Sequence, residues 1–160
     1  MKRLCALALV LGLAACTKDH GPTQVTTATT AVAFPGGTVT ATIASTCAAR
    51  FDGLKNVTTL GASAGMLFVF EENHDSLDVG FYMKDTPLPL SIAFIDSNKQ
   101  VINIADMAPE TLTPHFSSRP YRYALEVNQG WFASHGVAAR TTVTFALPAG
   151  TIIDPYPCVP

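Results

Sequence analysis

Apolar and polar residues settle into regular patterns only from about residue 37 onward. In Gly37–Ala44, Val39, Ala41 and Ile43 alternate with threonines, the period-two pattern of a half-buried strand. Gly65–Glu71 is a dense apolar run and predicts a buried strand, and Val79–Lys84 predicts another. Leu90–Ile95 and Gln100–Met107 are strand-like and separated by Asp96-Ser97-Asn98-Lys99, a polar stretch that predicts a hairpin turn. Tyr121–Val127 and Thr141–Leu147 complete the strands. Ala48–Asn56 reads as a short helix or turn, and Asn128–His135 as one short helix stopped by Gly136. There is no internal repeat. About seven strands with one or two short helices predict a mainly β fold bordering on α+β: a compact antiparallel β-barrel or sandwich.

Ahead of this domain, Lys2 and Arg3 precede an apolar run, Leu4–Leu13. As a helix that run would span only about 15 Å, too short for a bilayer. Residues 1–15 therefore read as a signal peptide, with Cys5 inside the discarded part. Leu13-Ala14-Ala15-Cys16 resembles the lipobox of bacterial lipoproteins, in which the cysteine thiol takes a diacylglyceryl group and becomes the new N-terminus. The alternative is an ordinary small-residue cleavage site followed by a chance cysteine. Each buried methylene contributes about 0.8 kcal/mol, so several acyl chains anchor stably. Thr17, where enterobacterial inner-membrane lipoproteins favour Asp, points to the periplasmic face of the outer membrane. Residues 16–36, rich in Thr, Ala, Pro and Gly, read as the lipidated N-terminus and a flexible tether. Residues 37–147 form the single β domain and 148–160 a Pro-rich tail.

Composition narrows the classes. At 160 residues, 48% apolar and 14% charged, the chain suits one globular domain rather than a disordered one. Its formal charge is -2, and loss of Lys2 and Arg3 leaves the mature chain at about -4. No basic stripe exists to neutralise phosphates, which argues against a nucleic-acid partner. Cys47 and Cys158 remain, in an oxidising compartment where one bridge is possible. It would close a loop of about 110 residues and contribute about 4–5 kcal/mol by chain entropy. Two unpaired buried thiols are the alternative, because spacing alone does not show that the Cα atoms approach.

Several blocks resemble the domain-of-unknown-function 192 family. Gly65-Met66-Leu67-Phe68-Val69-Phe70 matches its GMLFVF block. Phe81-Tyr82-Met83-Lys84-Asp85-Thr86 resembles F-W-M-K-N-T, and Pro89 to Asp96 resembles P-L-D-I-A-F-I-D. Leu125-Glu126-Val127-Asn128 with Gly130-Trp131 and His135-Gly136 resembles L-E-V-N-x-G-W and H-G. Gly53-Leu54 sits at the family spacing, and Arg50 falls on its arginine. The resemblance spans roughly residues 39–145 and implies a compact, mostly β fold without an established activity. The chain departs from the pattern at Lys55 and Val57, at Tyr82 for Trp, Asp85 for Asn, Ser91 for Asp, and Arg140-Thr141 for Gly-Asp.

Candidate chemistry gathers on a few residues. Lys84, Asp85 and Thr86 end an apolar strand, where polar groups can be held at a pocket mouth; the alternative is a solvated turn. Asp85 suits ligand hydroxyls and Lys84 a carboxylate or phosphate. Glu126 alternates with Leu125 and Val127 and so faces the other side of the sheet from them. If buried, it either pairs with Arg50 or Arg122 or carries a raised pKa suited to acid–base work. Trp131, Tyr82, Tyr121 and Tyr123 suit sugar stacking, or core packing.

Other chemistries leave no signature. His20, His74, His115 and His135 show no paired spacing, so neither a zinc site nor another metal or cofactor is expected; His135 reads as a helix-terminal cap residue. No G-x-S-x-G elbow and no phosphate-cradling glycine loop occurs, and Glu71–Asp75 reads as a polar loop rather than a calcium site. Without a visible catalytic set, the leading expectation is an envelope binding or accessory module for a small polar ligand or cell-wall glycan. Its ligand-binding residues would be Lys84, Asp85, Thr86, Tyr82, Arg50, Glu126 and Trp131. The rivals are an envelope enzyme using Lys84, Asp85 or Glu126 as acid–base groups, and a protein-interaction module binding through a sheet edge. Radioactive palmitate supplied to growing cells is expected to label the chain and not its Cys16→Ser variant; an unlabelled, freely soluble product would overturn the anchor.

Overall fold

The computed structural model describes residues 28–71 and 80–158. The predicted signal peptide, Cys16, the tether as far as residue 27, and residues 72–79 lie outside the described residues. Among the described residues, six strands form one mixed sheet: β1 (Thr29–Phe34), β2 (Gly37–Ala44), β3 (Ala64–Val69), β4 (Leu90–Ile95), β5 (Val101–Met107) and β6 (Tyr123–Asn128). Their order across the sheet is β1-β2-β3-β6-β4-β5. Two short helices accompany them, α1 (Cys47–Asp52) and α2 (Trp131–Ser134). The fold is mainly β.

Local chemistry sets the connections. Asp96 forms the predicted β4–β5 hairpin by accepting the Asn98 and Gln100 N–H groups on Oδ1, each at 2.9 Å. β2 and β3 run parallel, so the chain must cross over between them, and the segment carrying α1 does so. Thr46 caps α1 by accepting the Ala49 N–H, and Gly53 ends it with a φ of 52°. β3, β6 and β4 occupy the middle of the sheet and are buried nearly throughout, which accounts for their near-continuous apolar sequences.

Each face of the sheet carries its own core. Leu67, Ala93, Leu125 and Val127 point to one face, where Trp131 and Phe132 of α2 and Val143 and Phe145 cover them. Phe68, Ile92, Phe94 and Ala124 point to the other, under Leu54, Met83 and Tyr121. A layer on both faces gives a sandwich-like arrangement, and the sheet is not closed into a barrel.

Three expectations are corrected. The tether reading ends too late: Thr29–Phe34 is an edge strand, joined to β2 through Pro35-Gly36, and Val32 and Phe34 are buried. The sheet is mainly antiparallel, as expected, with one parallel pair among the described residues, β2–β3. Of the predicted strand Val79–Lys84, the described part is a single bridge, in which Phe81 and His115 exchange both backbone hydrogen bonds. Continuation of the ladder would pair Met83 with Thr113, but the Met83 N–H donates to the Thr111 carbonyl instead. Thr141–Leu147 is likewise not a strand. Thr142 bridges Gln100 beside β5, and Thr144 bridges Ala33 in β1. The segment thus pairs with both edges of the sheet in turn, covering backbone groups that open edges would expose.

The tail is anchored by the Cys47–Cys158 disulfide, whose Cα atoms lie 5.6 Å apart. Asp154 adds a second tie: its carboxylate accepts the Cys47 N–H at 2.7 Å, and its own N–H donates to the Ser45 carbonyl at 3.0 Å. At the sheet centre, a Cβ at Gly65 would lie 2.5 Å from the Glu126 carbonyl oxygen and 2.9 Å from Val39 Cγ1. Both contacts are to packed core. Gly65→Ala is therefore expected to lower unfolding free energy by about 1–3 kcal/mol, read by urea denaturation.

Candidate functional site

α1 and the turn behind it form one wall of a cavity of about 380 Å³ on the second face of the sheet. Residues 80–84 and 86 supply a further wall, and Tyr156, Pro157 and Cys158 of the tail close it. Phe68 and Phe70 of β3 and Glu126 of β6 lie along its inner surface. The aromatic packing beneath is tight: Phe68 and Phe81 meet edge to face at 5.0 Å between centroids, Phe70 and Tyr121 at 5.3 Å. The walls are held in place by backbone bonds. Asp85, at a φ of 56°, presents its carbonyl to the Asn56 N–H at 2.7 Å, which fastens the 81–86 loop to the turn after α1. Met83 N–H donates to the Thr111 carbonyl on the far side.

Glu126 is the polar group at the bottom. Its strand neighbours are Met66 on β3 and Ile92 on β4, neither of which donates a side-chain hydrogen bond. The residue is 6% exposed, and its carboxyl makes no hydrogen bond or ion pair with any described residue. Burial alone pushes it up to about 8, because the charged form loses water and gains nothing in return. The expected ion pair with Arg50 or Arg122 is therefore corrected.

Arg50 is committed elsewhere. Its Nη1 donates to the carbonyls of Ser45 (2.6 Å) and Val69 (3.0 Å), and its Nη2 to those of Asp154 (2.9 Å) and Pro155 (3.3 Å). Burial lowers its pKa, partly offset by nearby Asp154. It acts as a clamp on the cavity wall, with its guanidinium 5.3 Å from the Phe70 centroid.

The structure brings Arg50, Tyr82, Lys84, Thr86 and Glu126 to one cavity. Lys84 and Tyr82 are exposed at its edge, whereas Thr86 is buried and directs its hydroxyl to the Lys84 carbonyl at 3.3 Å. Two expected residues fall elsewhere. Asp85 is exposed and contributes its backbone to the loop; Asn, found there in the resembling family, tolerates the same left-handed conformation. Trp131 is buried in the opposite core, stacked on the α2 cap residue His135 at 4.0 Å. Strand periodicity did not reveal Phe51, Lys55 or Tyr156 as cavity residues. Only the Cys47–Cys158 pairing hinted that the tail would return here.

The sequence profile described as Uncharacterized ACR, DUF192, matches residues 27–145. The chain belongs to the DUF192 family. Two solved structures resemble this DUF192 chain. One, described as a candidate transcription regulator from Sinorhizobium meliloti 1021, is 27% identical with a TM-score of 0.66, covering 73% of this chain and 92% of that one. The other, a protein of unknown function from Novosphingobium aromaticivorans DSM 12444, is 29% identical with a TM-score of 0.64, covering 72% of this chain and 83% of that one. No curated protein matches significantly.

The Glu126 carboxyl makes stability depend on pH. Unfolded, it titrates near 4.5; folded, near 8. Between these values the folded DUF192 domain holds a proton that the unfolded chain has lost. Its contribution is therefore complete below about 4.5 and is lost as pH rises towards about 8. The thermal midpoint is expected to fall across that window in the native chain and less steeply in Glu126→Gln. Parallel curves would show that the carboxyl is not desolvated.

Proposed function

We propose that this chain is a cell-envelope lipoprotein whose DUF192 domain binds a small polar ligand or cell-wall glycan in the cavity over Glu126. The observation that carries the reading is a buried carboxyl without a partner among the described residues, opening on a cavity of about 380 Å³. Burying such a group costs free energy, and a ligand that hydrogen-bonds to it recovers part of that cost. The cavity volume falls in the range of small-molecule sites, and apolar walls with few polar groups suit that use.

The lipid anchor at Cys16 fits this reading. With β1 starting at Thr29, residues 17–28 separate the anchor from the sheet, a maximal reach of about 40 Å. The domain would work close to the membrane surface. Regulation of transcription, the description carried by the Sinorhizobium protein, is not adopted here. Ten Lys and Arg against twelve Asp and Glu leave no positive excess for phosphates.

One observation favours an enzyme as the second reading: a carboxyl titrating near neutrality is suited to general acid–base work, and Lys84 borders the same cavity. Asp85 drops out of that reading. A thermal-shift panel of muropeptides, sugars and small acids tests the binding reading, since a ligand of the native state raises the midpoint. At least one compound is expected to raise it in the native chain and not in Glu126→Leu. No shift at millimolar concentrations would overturn the reading. Turnover of a shifting compound would favour the enzyme.

A further inference from the structure

The chemistry of the walls narrows the ligand class. Six aromatic rings line the cavity: Phe51, Phe68, Phe70, Phe81, Tyr82 and Tyr156. Ring faces carry the negative part of the aromatic quadrupole and attract cations, most strongly where water is excluded. The chain's own cations already use two of these rings. Lys55 Nζ lies 3.6 Å from the Phe51 centroid, and the Arg50 guanidinium 5.3 Å from that of Phe70. Neither pairs with Glu126, which has no counter-charge among the described residues. A neutral sugar would use the carboxyl as a hydrogen-bonding group but would bring no charge to pair with it. An anion could use Glu126 only in its protonated form, as a single hydrogen-bond donor. An ammonium group satisfies rings and carboxyl together.

Building on the ligand-site reading above, we propose that the cavity selects an organic ammonium ion, primary or methylated, which enters between the aromatic walls and pairs with Glu126. The other charged or titratable cavity groups are Arg50, Asp52 and Lys55 from α1 and its turn, Tyr82 and Lys84 from the loop, and Tyr156 from the tail. Met66 and Ile92, which flank Glu126 on the adjacent strands, carry no charge. Arg50 is held on backbone carbonyls and Lys55 on Phe51, while exposed Lys84 keeps its charge in water, where screening is strong. Near neutral pH Glu126 is largely protonated, so binding a cation drives its proton to the buffer; no covalent bond to carbon changes.

Titration calorimetry of the full-length chain at about pH 6.5, in two buffers of different ionisation enthalpy, counts that proton. The probes are glucosamine, choline and, as the neutral counterpart of the first, N-acetylglucosamine. Either amine is expected to bind with release of close to one proton. Glu126→Gln is expected to weaken amine binding about tenfold or more. Proton counting on the native chain stands whether or not a variant folds. Binding of N-acetylglucosamine as tight as that of glucosamine, or amine binding without proton release, would overturn the cation assignment and leave the ligand site standing. Failure of both amines here, alongside a positive shift from a neutral or acidic compound in the wider panel, would do the same. Failure of every compound in both experiments would overturn both.

Discussion

Arg50 holds the cavity open as a cavity. Its guanidinium bonds carbonyls at the ends of β2 and β3 and in the tail, so one side chain joins three segments that are remote in sequence. A lysine could not reproduce this, because its donors radiate from one nitrogen, whereas the planar fork sets two nitrogens apart and aims each at its own carbonyls. The Asp154 bonds and the Cys47–Cys158 bridge reinforce the same junction. The wall formed by Tyr156 to Cys158 also meets Phe70 through the Tyr156 ring, at 6.1 Å between centroids. Because Nη1 and Nη2 are both engaged with backbone carbonyls, neither pairs with Glu126. The clamp and the unpaired acid are therefore two consequences of one commitment.

Much of the fold was legible in the sequence, for physical reasons that differ by element. β2, β3, β4, β5 and β6 announced themselves through periodicity or dense apolar runs, and the Asp96 turn through its polar residues. β1 was missed because its Thr- and Ala-rich composition resembles a linker. The signal was present nevertheless: Val32 and Phe34 alternate before Pro35-Gly36, a strand leading into a two-residue turn. The segment 141–147 alternates convincingly, with Val143 and Phe145 buried, yet forms no ladder. Alternation reports which side chains face a core. It does not report whether the backbone has a continuous partner strand.

The site was legible only in part. Lys84, Thr86, Tyr82, Arg50 and Glu126 were picked out mainly through the family resemblance, and they do converge. The pairing of Arg50 with Glu126 failed because opposite charges on one list of residues carry no distance information. Trp131 failed for a related reason. A large aromatic beside a helix start suits a binding face and a core equally well, and the face of the sheet to which α2 returns decides between them. The tail residues were invisible, since no local pattern marks a Pro-rich segment as the wall of a site built by residues more than a hundred positions earlier.

Glu126 remains the position where the chain departs from what stability alone would choose. β6 is otherwise apolar across its buried length, and Met or Leu would fit the pattern of the neighbouring Met66 and Ile92. Leaving a carboxyl there costs on the order of a few kcal/mol, because the group either stays neutral against its usual pKa or is charged without water. A structural role would ordinarily supply an internal partner, and Arg50 on the cavity wall is instead turned to carbonyls. A group kept at such a cost and left open to a cavity is better explained by what enters the cavity than by what holds the sheet.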